Sequence, residues 1–277
     1  MILLALIIAL LVPHAAPAPP RYVILTLDVR AYGVGGTGRI VVDRERGRFV
    51  RTFDTFPTSE GEGYDGTRAW RADASGMARV QGNLGRRQAI RAWAALFVRL
   101  ARGERITHAQ LHDGIDRVDV DVADYREFGE RIFPCEIHTV LSTAGEWTAR
   151  VRRIEERATL DDATFAPPAE PHDFTLTHAT SVAMDMTVFF PVVPVAIDGT
   201  LLHMIVDTGG SNVLVPAAAK RLGLAIVGEA LVADAGEHAV PSRFTAVERM
   251  RIGDFELRHC AFIVLGLNGL IPPASTV

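Results

Sequence analysis

The chain has 277 residues, of which 48% are hydrophobic, enough for one or two globular cores. Its formal net charge is −4, from 29 Lys and Arg against 33 Asp and Glu. This near balance, without a long basic cluster, excludes nucleic acid as the main partner. The 24 glycines and 15 prolines indicate many turns, and therefore short strands more than long helices.

The N-terminus has the layout of an export signal. An uninterrupted apolar run covers residues 2–12, which is shorter than the roughly 20 residues that a membrane-spanning helix needs. Small residues at Ala15, Ala16 and Ala18 follow and offer a cleavage site, although no Lys or Arg precedes the run. Residues 1–18 are therefore predicted to be a signal peptide of a periplasmic or extracellular protein. The alternative is an uncleaved anchor, through which alone membrane contact is expected.

Residues 21–166 predict a β-rich domain with one helix. Segments rich in β-branched and aromatic residues alternate with glycine-containing turns such as Asp65-Gly66. Between residues 86 and 101 the apolar residues recur at helical spacing, which predicts an amphipathic helix packed on the sheet. Prolines then interrupt the pattern, and they predict a linker over residues 167–182.

Two motifs in this first domain match known binding patterns only in part. The glycines of residues 33–38, "GVGGTG", lead into an apolar strand where a dinucleotide site requires a helix, so they indicate a glycine-rich hairpin. His108 and His112 are four residues apart, but Ala109 stands where a zinc-protease helix has its glutamate. No metal and no cofactor is therefore predicted.

The chain has two cysteines, Cys135 and Cys260. An oxidising compartment would allow them to form a disulfide. Because they fall in different predicted domains, two separate buried thiols are the other interpretation. The sequence leaves both open.

A catalytic candidate stands at the end of an apolar strand in the last third of the chain. Two apolar segments are joined by Asp198-Gly199, a hairpin signal, and the second ends at Asp207. A short polar and glycine-rich stretch follows: Thr208, Gly209, Gly210 and Ser211. The glycines let the backbone turn sharply and expose the carboxylate. A lone aspartate would otherwise be a turn residue, so the surrounding string carries the argument.

The string "IVDTGGSN", residues 205–212, resembles the signature of retropepsin-like aspartic proteases, in the variant of their secreted bacterial branch. The resemblance covers residues 183–277 and implies a closed β lobe of the acid-protease fold. It implies that Asp207 is catalytic and that the four residues after it form the supporting loop. It also implies further elements downstream: a flap at Ala235, Gly236 and Glu237, and a second hydrophobic turn at Leu270 and Ile271.

The end of the chain departs from this family pattern. Pro272 stands where the family's glycine is expected, and six residues follow Ile271. The family usually continues with a short helix and a strand that joins the dimer. The expectation is therefore either a fragment or a different dimer interface.

The first domain loosely resembles the curved half-barrel of envelope lipoprotein carriers. The resemblance rests on its antiparallel strands, its "YDG" turn and its one helix. It implies either binding of a lipid-like or peptide ligand or only a role in positioning the protease domain. The predicted fold is thus mainly β: an antiparallel half-barrel-like sheet with one packed helix, followed by the retropepsin-like lobe.

Peptide hydrolysis by an aspartic protease requires two carboxylates that share a proton. Asp-Thr-Gly occurs once in this chain, at Asp207. A two-fold homodimer would supply the second copy of the same residue. The sequence therefore predicts an exported, homodimeric aspartic endopeptidase acting on peptide or protein substrates. The alternative is a non-catalytic binding or carrier protein of the cell envelope that uses the first domain.

Overall fold

A computed structural model describes residues 20–72, 77–113, 116–129, 131–141, 145–169, 174–176, 178–186, 190–207, 212–233 and 239–266. These residues form two β-sheets, so the fold is mainly β, as predicted. The predicted signal peptide lies outside the described residues. Of the two described α-helices, neither combines the length and apolar character that crossing a membrane requires.

The first sheet is a ten-stranded antiparallel sheet, here called the half-barrel, residues 22–157. Its strands are β1 (Tyr22–Ala31), β2 (Val34–Asp43), β3 (Arg48–Asp54), β4 (Glu60–Tyr64), β5 (Ala69–Ala72), β6 (Ala78–Val80), β7 (His108–Asp113), β8 (Asp116–Phe128), β9 (Arg131–Leu141) and β10 (Gly145–Arg157). Helix α1 (Leu84–Ala101) joins β6 to β7, the strands at the two ends of the sheet. Neighbouring strands follow one another in sequence except at the centre, where β1 pairs with β10.

Helix α1 lies where the apolar spacing predicts a helix, and it begins two residues earlier. Asn83 precedes it with an extended backbone, and its side-chain oxygen accepts a hydrogen bond from the Arg86 backbone nitrogen at 3.2 Å. This capping bond satisfies one of the donors that a helix start leaves open. The predicted amphipathic face is confirmed, because Ile90, Trp93 and Phe97 are all buried.

The core of the half-barrel lies between α1 and the inner face of the sheet. The ring of Phe97 stacks on Phe49, with centroids 5.4 Å apart, and Trp93 lies 5.7 Å from Trp147. Val23, Leu25, Leu27 and Val29, alternate residues of β1, face the same cluster. The helix therefore holds strands from both halves of the sheet together, since β3 and β10 both contribute to this cluster.

A second, smaller cluster lies on the outer face of the same sheet. A short 3₁₀ helix, Asp162–Phe165, folds back onto it. The Trp70 indole nitrogen donates a hydrogen bond to the Phe165 carbonyl oxygen at 2.9 Å, and the Arg48 guanidinium lies 4.4 Å from the Phe165 ring centroid. The chain that leaves β10 is therefore anchored on the outer face through Phe165.

A buried carboxylate organises the turn between β2 and β3. Asp43 is fully buried and accepts hydrogen bonds from Arg21 (2.9 and 2.6 Å), from Arg48 (2.8 Å) and from the backbone nitrogens of Glu45 (3.1 Å) and Arg46 (3.0 Å). Burial alone would raise the pKa of Asp43, but these hydrogen bonds together hold it well below its ordinary value. The carboxylate is thus charged and fully paired inside the protein.

The second sheet contains the strands that follow the proline-rich segment. These are β11 (Phe174–Thr175), β12 (Val192–Ile197), β13 (Thr200–Ile205), β14 (Val213–Leu214), β15 (Val227–Ala233), β16 (Ala239–Ile252) and β17 (Phe255–Leu265), with helix α2 (Pro216–Arg221). The main path runs β11-β17-β16-β12-β13, while β14 pairs with β17 and β15 pairs with β16. Strand β11 lies within the segment predicted as a linker.

Glycines occupy positions in two hairpins of the chain. The predicted turn at Asp198-Gly199 joins β12 to β13, with both residues at positive φ. The "GVGGTG" segment belongs to a hairpin, as predicted, but only Gly33 lies in the turn, at Tyr32-Gly33, and the later glycines lie inside β2. A Cβ at Gly36 would lie 2.0 Å from the Asp54 carbonyl oxygen, so the adjacent strand leaves no room for a side chain.

The two cysteines lie in different sheets. Cys135 is on β9 and Cys260 is on β17, both are buried, and no disulfide joins them. Burial raises the pKa of the Cys135 thiol. The structure therefore has one buried thiol in each sheet.

Candidate active site

The candidate catalytic residue, Asp207, comes two residues after the end of β13. This strand pairs with β12, so that Ile205 lies opposite Val192. Past the strand, the Val206 backbone nitrogen donates a hydrogen bond to the Pro191 carbonyl oxygen at 2.9 Å. Asp207 itself is exposed. The chain is thus held against its neighbour up to the residue before the carboxylate, which is open to solvent.

The other end of the loop that carries Asp207 is anchored on β17. The Ile263 backbone nitrogen donates a hydrogen bond to the Asn212 carbonyl oxygen at 2.8 Å. The Asn212 side chain donates to the Ala261 carbonyl oxygen at 3.4 Å, and β14 then continues parallel to β17, with Val213 opposite Ile263. A loop fixed at both ends by strands suits a residue whose position must be reproducible.

A compact apolar cluster supports these strands. Its members from β12, β13, β14 and β17 include Val195, Ile197, Leu202, Leu214 and Phe262. Helix α2 begins at Pro216, a residue suited to the first turn of a helix, and its Ala219 is fully buried. The strands that flank the Asp207 loop therefore pack on a common core.

Several predicted site residues lie outside the described residues. They are the loop residues Thr208, Gly209, Gly210 and Ser211, the flap residues Ala235, Gly236 and Glu237, and the turn residues Leu270 and Ile271. The strands on either side of the predicted flap are described: β15 and β16 form an antiparallel pair, with Val232 opposite Val240. Two paired strands thus lead into and out of that segment, and the flap itself stays a prediction.

Comparison with known families decides what kind of domain this is. Residues 193–273 match a family model described as aspartyl protease. The C-terminal sheet carries an aspartyl protease domain. The match includes Asp207, β12 from its second residue onward and the strands from β13 to β17, and it leaves the half-barrel outside. A comparison of the chain with curated proteins found no match.

His108 and His112, the two histidines four residues apart, lie outside the aspartyl protease domain. His108 is on β7, and its Nδ1 lies 2.9 Å from an Asp121 carboxylate oxygen at the exposed surface. Within the described parts of the chain, no group of three or more His, Cys, Asp or Glu side chains is placed to hold a metal ion.

Sequence reasoning missed a buried charged cluster in the half-barrel. Arg51 is only 4% exposed, and its Nη2 lies 3.1 Å from Glu60 and 3.3 Å from Glu62. Its guanidinium also lies near three aromatic ring centroids, those of Phe53 (4.7 Å), Trp93 (5.2 Å) and Trp147 (5.1 Å). The signal was available, since Arg51 alternates with Phe49 and Phe53 on β3 and therefore shares their buried face.

Proposed function

We propose that the protein is an exported aspartic endopeptidase of the retropepsin-like type, in which Asp207 of two copies forms the catalytic pair. The supporting observation is the placement of Asp207 within the aspartyl protease domain. It follows a strand, is open to solvent, and begins the only Asp-Thr-Gly of the chain. Peptides or proteins are the substrates that such a domain fits.

The chemistry explains why one copy of the motif is enough. One carboxylate acts as general base for water, while a carboxylic acid polarises the peptide carbonyl. Two carboxyl groups about 3 Å apart share one proton, because both cannot ionise at that distance. Since a two-fold axis brings identical residues face to face, Asp207 of a second copy completes the pair.

The residues after Asp207 take supporting roles in this proposal. The resemblance implies that Gly209 keeps backbone amides close to the two carboxylates and that Thr208 hydrogen-bonds to the loop of the second copy. Residues 235–237 cover the bound peptide. These roles follow from the family resemblance.

Mixing wild-type protein with Asp207→Asn tests both the residue and the dimer. The variant alone should lose about 10⁴-fold in kcat, since it removes a group that acts in the reaction itself. After subunit exchange at equal amounts, about one quarter of all dimers retain both aspartates, so activity per wild-type chain falls by about half. Unchanged activity per wild-type chain would show that each copy works alone.

Asp254→Asn is the matched control for this experiment. It removes an exposed carboxylate from the same domain, at the turn between β16 and β17, and should leave activity unchanged. A statine-type mimic of the transition state should inhibit the wild-type enzyme, whose pH profile should be bell-shaped in the acid range. Full activity of Asp207→Asn would end the proposal.

A second candidate function, ligand binding by the half-barrel in the cell envelope, is favoured by Arg51. Within the described part of the chain, Nε and Nη1 of this buried side chain donate no hydrogen bond. Arg51 lines a small cavity together with Tyr32, Trp93 and Trp147. The cavity has a volume of about 20 Å³, room for about one water molecule, so only a single acceptor group at the end of a lipid-like or peptide ligand would reach these donors.

Extraction of the purified protein tests this candidate. Mass spectrometry of the extract should find a ligand in the wild type and less of it in Arg51→Met, which keeps an apolar stem. Equal amounts in both proteins, or no ligand in either, would exclude a role for this cavity.

A further inference from the structure

The half-barrel and the aspartyl protease domain touch through the turn between β1 and β2. The Glu229 backbone nitrogen on β15 donates a hydrogen bond to the Tyr32 carbonyl oxygen at 2.8 Å. The ring of Tyr32 also packs against the ring of Phe244 on β16, with centroids 5.7 Å apart and planes inclined by 52°. One residue of the half-barrel thus contacts two strands of the other domain.

The turn at Tyr32 can approach β15 closely because residue 228 is a glycine. Its φ is +66°, and a Cβ there would lie 2.7 Å from the Tyr32 carbonyl oxygen, 3.0 Å from Val34 and 3.1 Å from Phe244. The β15–β16 register shifts between Val227 and Ala230, so this part of β15 leaves the regular ladder. A side chain at this position would push the two domains apart.

Tyr32 is itself firmly held on the half-barrel side. Its backbone nitrogen donates to the Glu146 carbonyl oxygen at 3.3 Å, and its φ of +52° places it in the left-handed region. Tyr32 also lines the half-barrel cavity, together with Trp93 and Trp147. A non-glycine residue stays in that backbone conformation only when its surroundings fix it.

The contact continues from Tyr32 to the loop of Asp207. Phe244 lies directly opposite Ile263 in the β16–β17 ladder, so the two side chains are on the same face. Ile263 donates its backbone N–H to the Asn212 carbonyl oxygen, the bond that anchors the far end of the Asp207 loop. The series from Tyr32 to Asn212 thus runs through described residues that are in contact or paired across strands.

We propose that the half-barrel positions the Asp207 loop through Tyr32, which acts as a positioning residue for the aspartyl protease domain. As far as catalysis is concerned, this rests on the proposed function. Loss of the contact shifts β16 and β17, loosens the Ile263–Asn212 bond and displaces the carboxylate. The effect is therefore on kcat more than on KM.

Two glycines of the chain provide a matched pair of variants for the test. Gly228→Ala introduces a Cβ at φ +66° against Tyr32, whereas Gly223→Ala introduces one at the same φ with nothing within 4 Å. The two glycines share the same φ, so the variants differ mainly in the crowding at Gly228 against Tyr32, Val34 and Phe244. Tyr32→Ala removes the ring, and Tyr32→Phe keeps it.

Amide hydrogen exchange at Ile263 measures how often the Ile263–Asn212 hydrogen bond opens, and it does so independently of activity. Gly228→Ala and Tyr32→Ala should exchange about tenfold faster there than wild type, with kcat lowered by about tenfold or more and KM little changed. Tyr32→Phe should restore the wild-type values, and Gly223→Ala should exchange at the wild-type rate.

The outcomes separate this inference from the proposed function. Faster exchange at Ile263 in a protein without peptidase activity would leave the positioning role intact while the proposed function fails. Equal exchange at Ile263 in Gly228→Ala and Gly223→Ala would overturn the inference, whatever the activity. Equal kcat in a working peptidase would overturn it too.

Discussion

The half-barrel and the aspartyl protease domain are stabilised to different degrees. Among the described residues, the half-barrel core contains six large aromatic side chains: Phe49, Phe53, Trp93, Phe97, Phe133 and Trp147. The core of the aspartyl protease domain contains one, Phe262. Because aromatic side chains bury the most apolar surface, the half-barrel gains far more from packing. The candidate catalytic residue thus belongs to the less heavily stabilised region.

Phe97→Ala should have the largest effect on stability. The ring is 1% exposed and stacks on Phe49 and Trp93, so its removal leaves a cavity in the larger core and costs about 4 kcal/mol. Urea unfolding followed by tryptophan fluorescence measures this, since Trp70, Trp93 and Trp147 all lie in the half-barrel. Leu84→Ala on the same helix, 61% exposed, is the control and should change stability by less than about 0.5 kcal/mol. Similar losses from both variants would mean that the helix does not organise the core.

Asp43→Asn should have the next largest effect and lower the free energy of unfolding by about 3 kcal/mol near pH 7. The substitution removes the buried charge that Arg21 and Arg48 are paired with, and loss of one partner of a buried pair is costly. Asp121→Asn, which changes an exposed carboxylate of the same sheet, should be close to neutral. Urea midpoints of the two variants at pH 7 provide the comparison.

The buried charge of Asp43 should make the stability of the half-barrel depend on pH. The pKa of Asp43 is lower in the folded protein than the value of about 3.9 in an unfolded chain. The contribution of Asp43 to folding stability is therefore complete above about pH 4. It declines as the pH falls through the range between the two pKa values. The difference between wild type and Asp43→Asn should be smaller at pH 3 than at pH 7. A constant difference would show that another group controls acid stability.

Ile197→Val should have the smallest effect, about 1 kcal/mol, and should act on the aspartyl protease domain alone. Ile197 is fully buried in that core together with Cys260. Labelling of the Cys260 thiol under native conditions should become about fivefold faster, because it follows the population of the opened domain. Cys135 in the half-barrel is the internal control and should label at an unchanged rate. Equal acceleration at both thiols would show that the two domains open as one unit, which would remove the contrast between them.

Local features of this fold could be predicted from the sequence. Apolar spacing located α1 to within two residues, and Asp198-Gly199 located the turn that leads into β13. Asp207 was recognisable because its neighbours in sequence carry the motif. These features depend on interactions between residues that are close in the chain, which periodicity and turn chemistry capture.

Features that depend on distant pairing could not be predicted. Nothing in the sequence of β1 indicates that it pairs with β10, and the burial of Asp43 follows from partners on β3 and at Arg21. Tyr32 and Gly228 are far apart in sequence, so their contact required the packed structure. The alternation of Arg51 with phenylalanines could have placed it on a buried face. Its glutamate partners could not have been identified from the sequence.

The pairing of β1 with β10 has a consequence for the order of folding. Tyr22 lies opposite Arg157, so the central ladder of the half-barrel joins the first strand to the last. Such non-local pairing carries a large loop-closure cost and makes folding slow. During synthesis, β1 can complete its pairing with β10 only after residue 157 has emerged from the ribosome. The first sheet is therefore completed only when the whole of residues 22–157 is available for pairing.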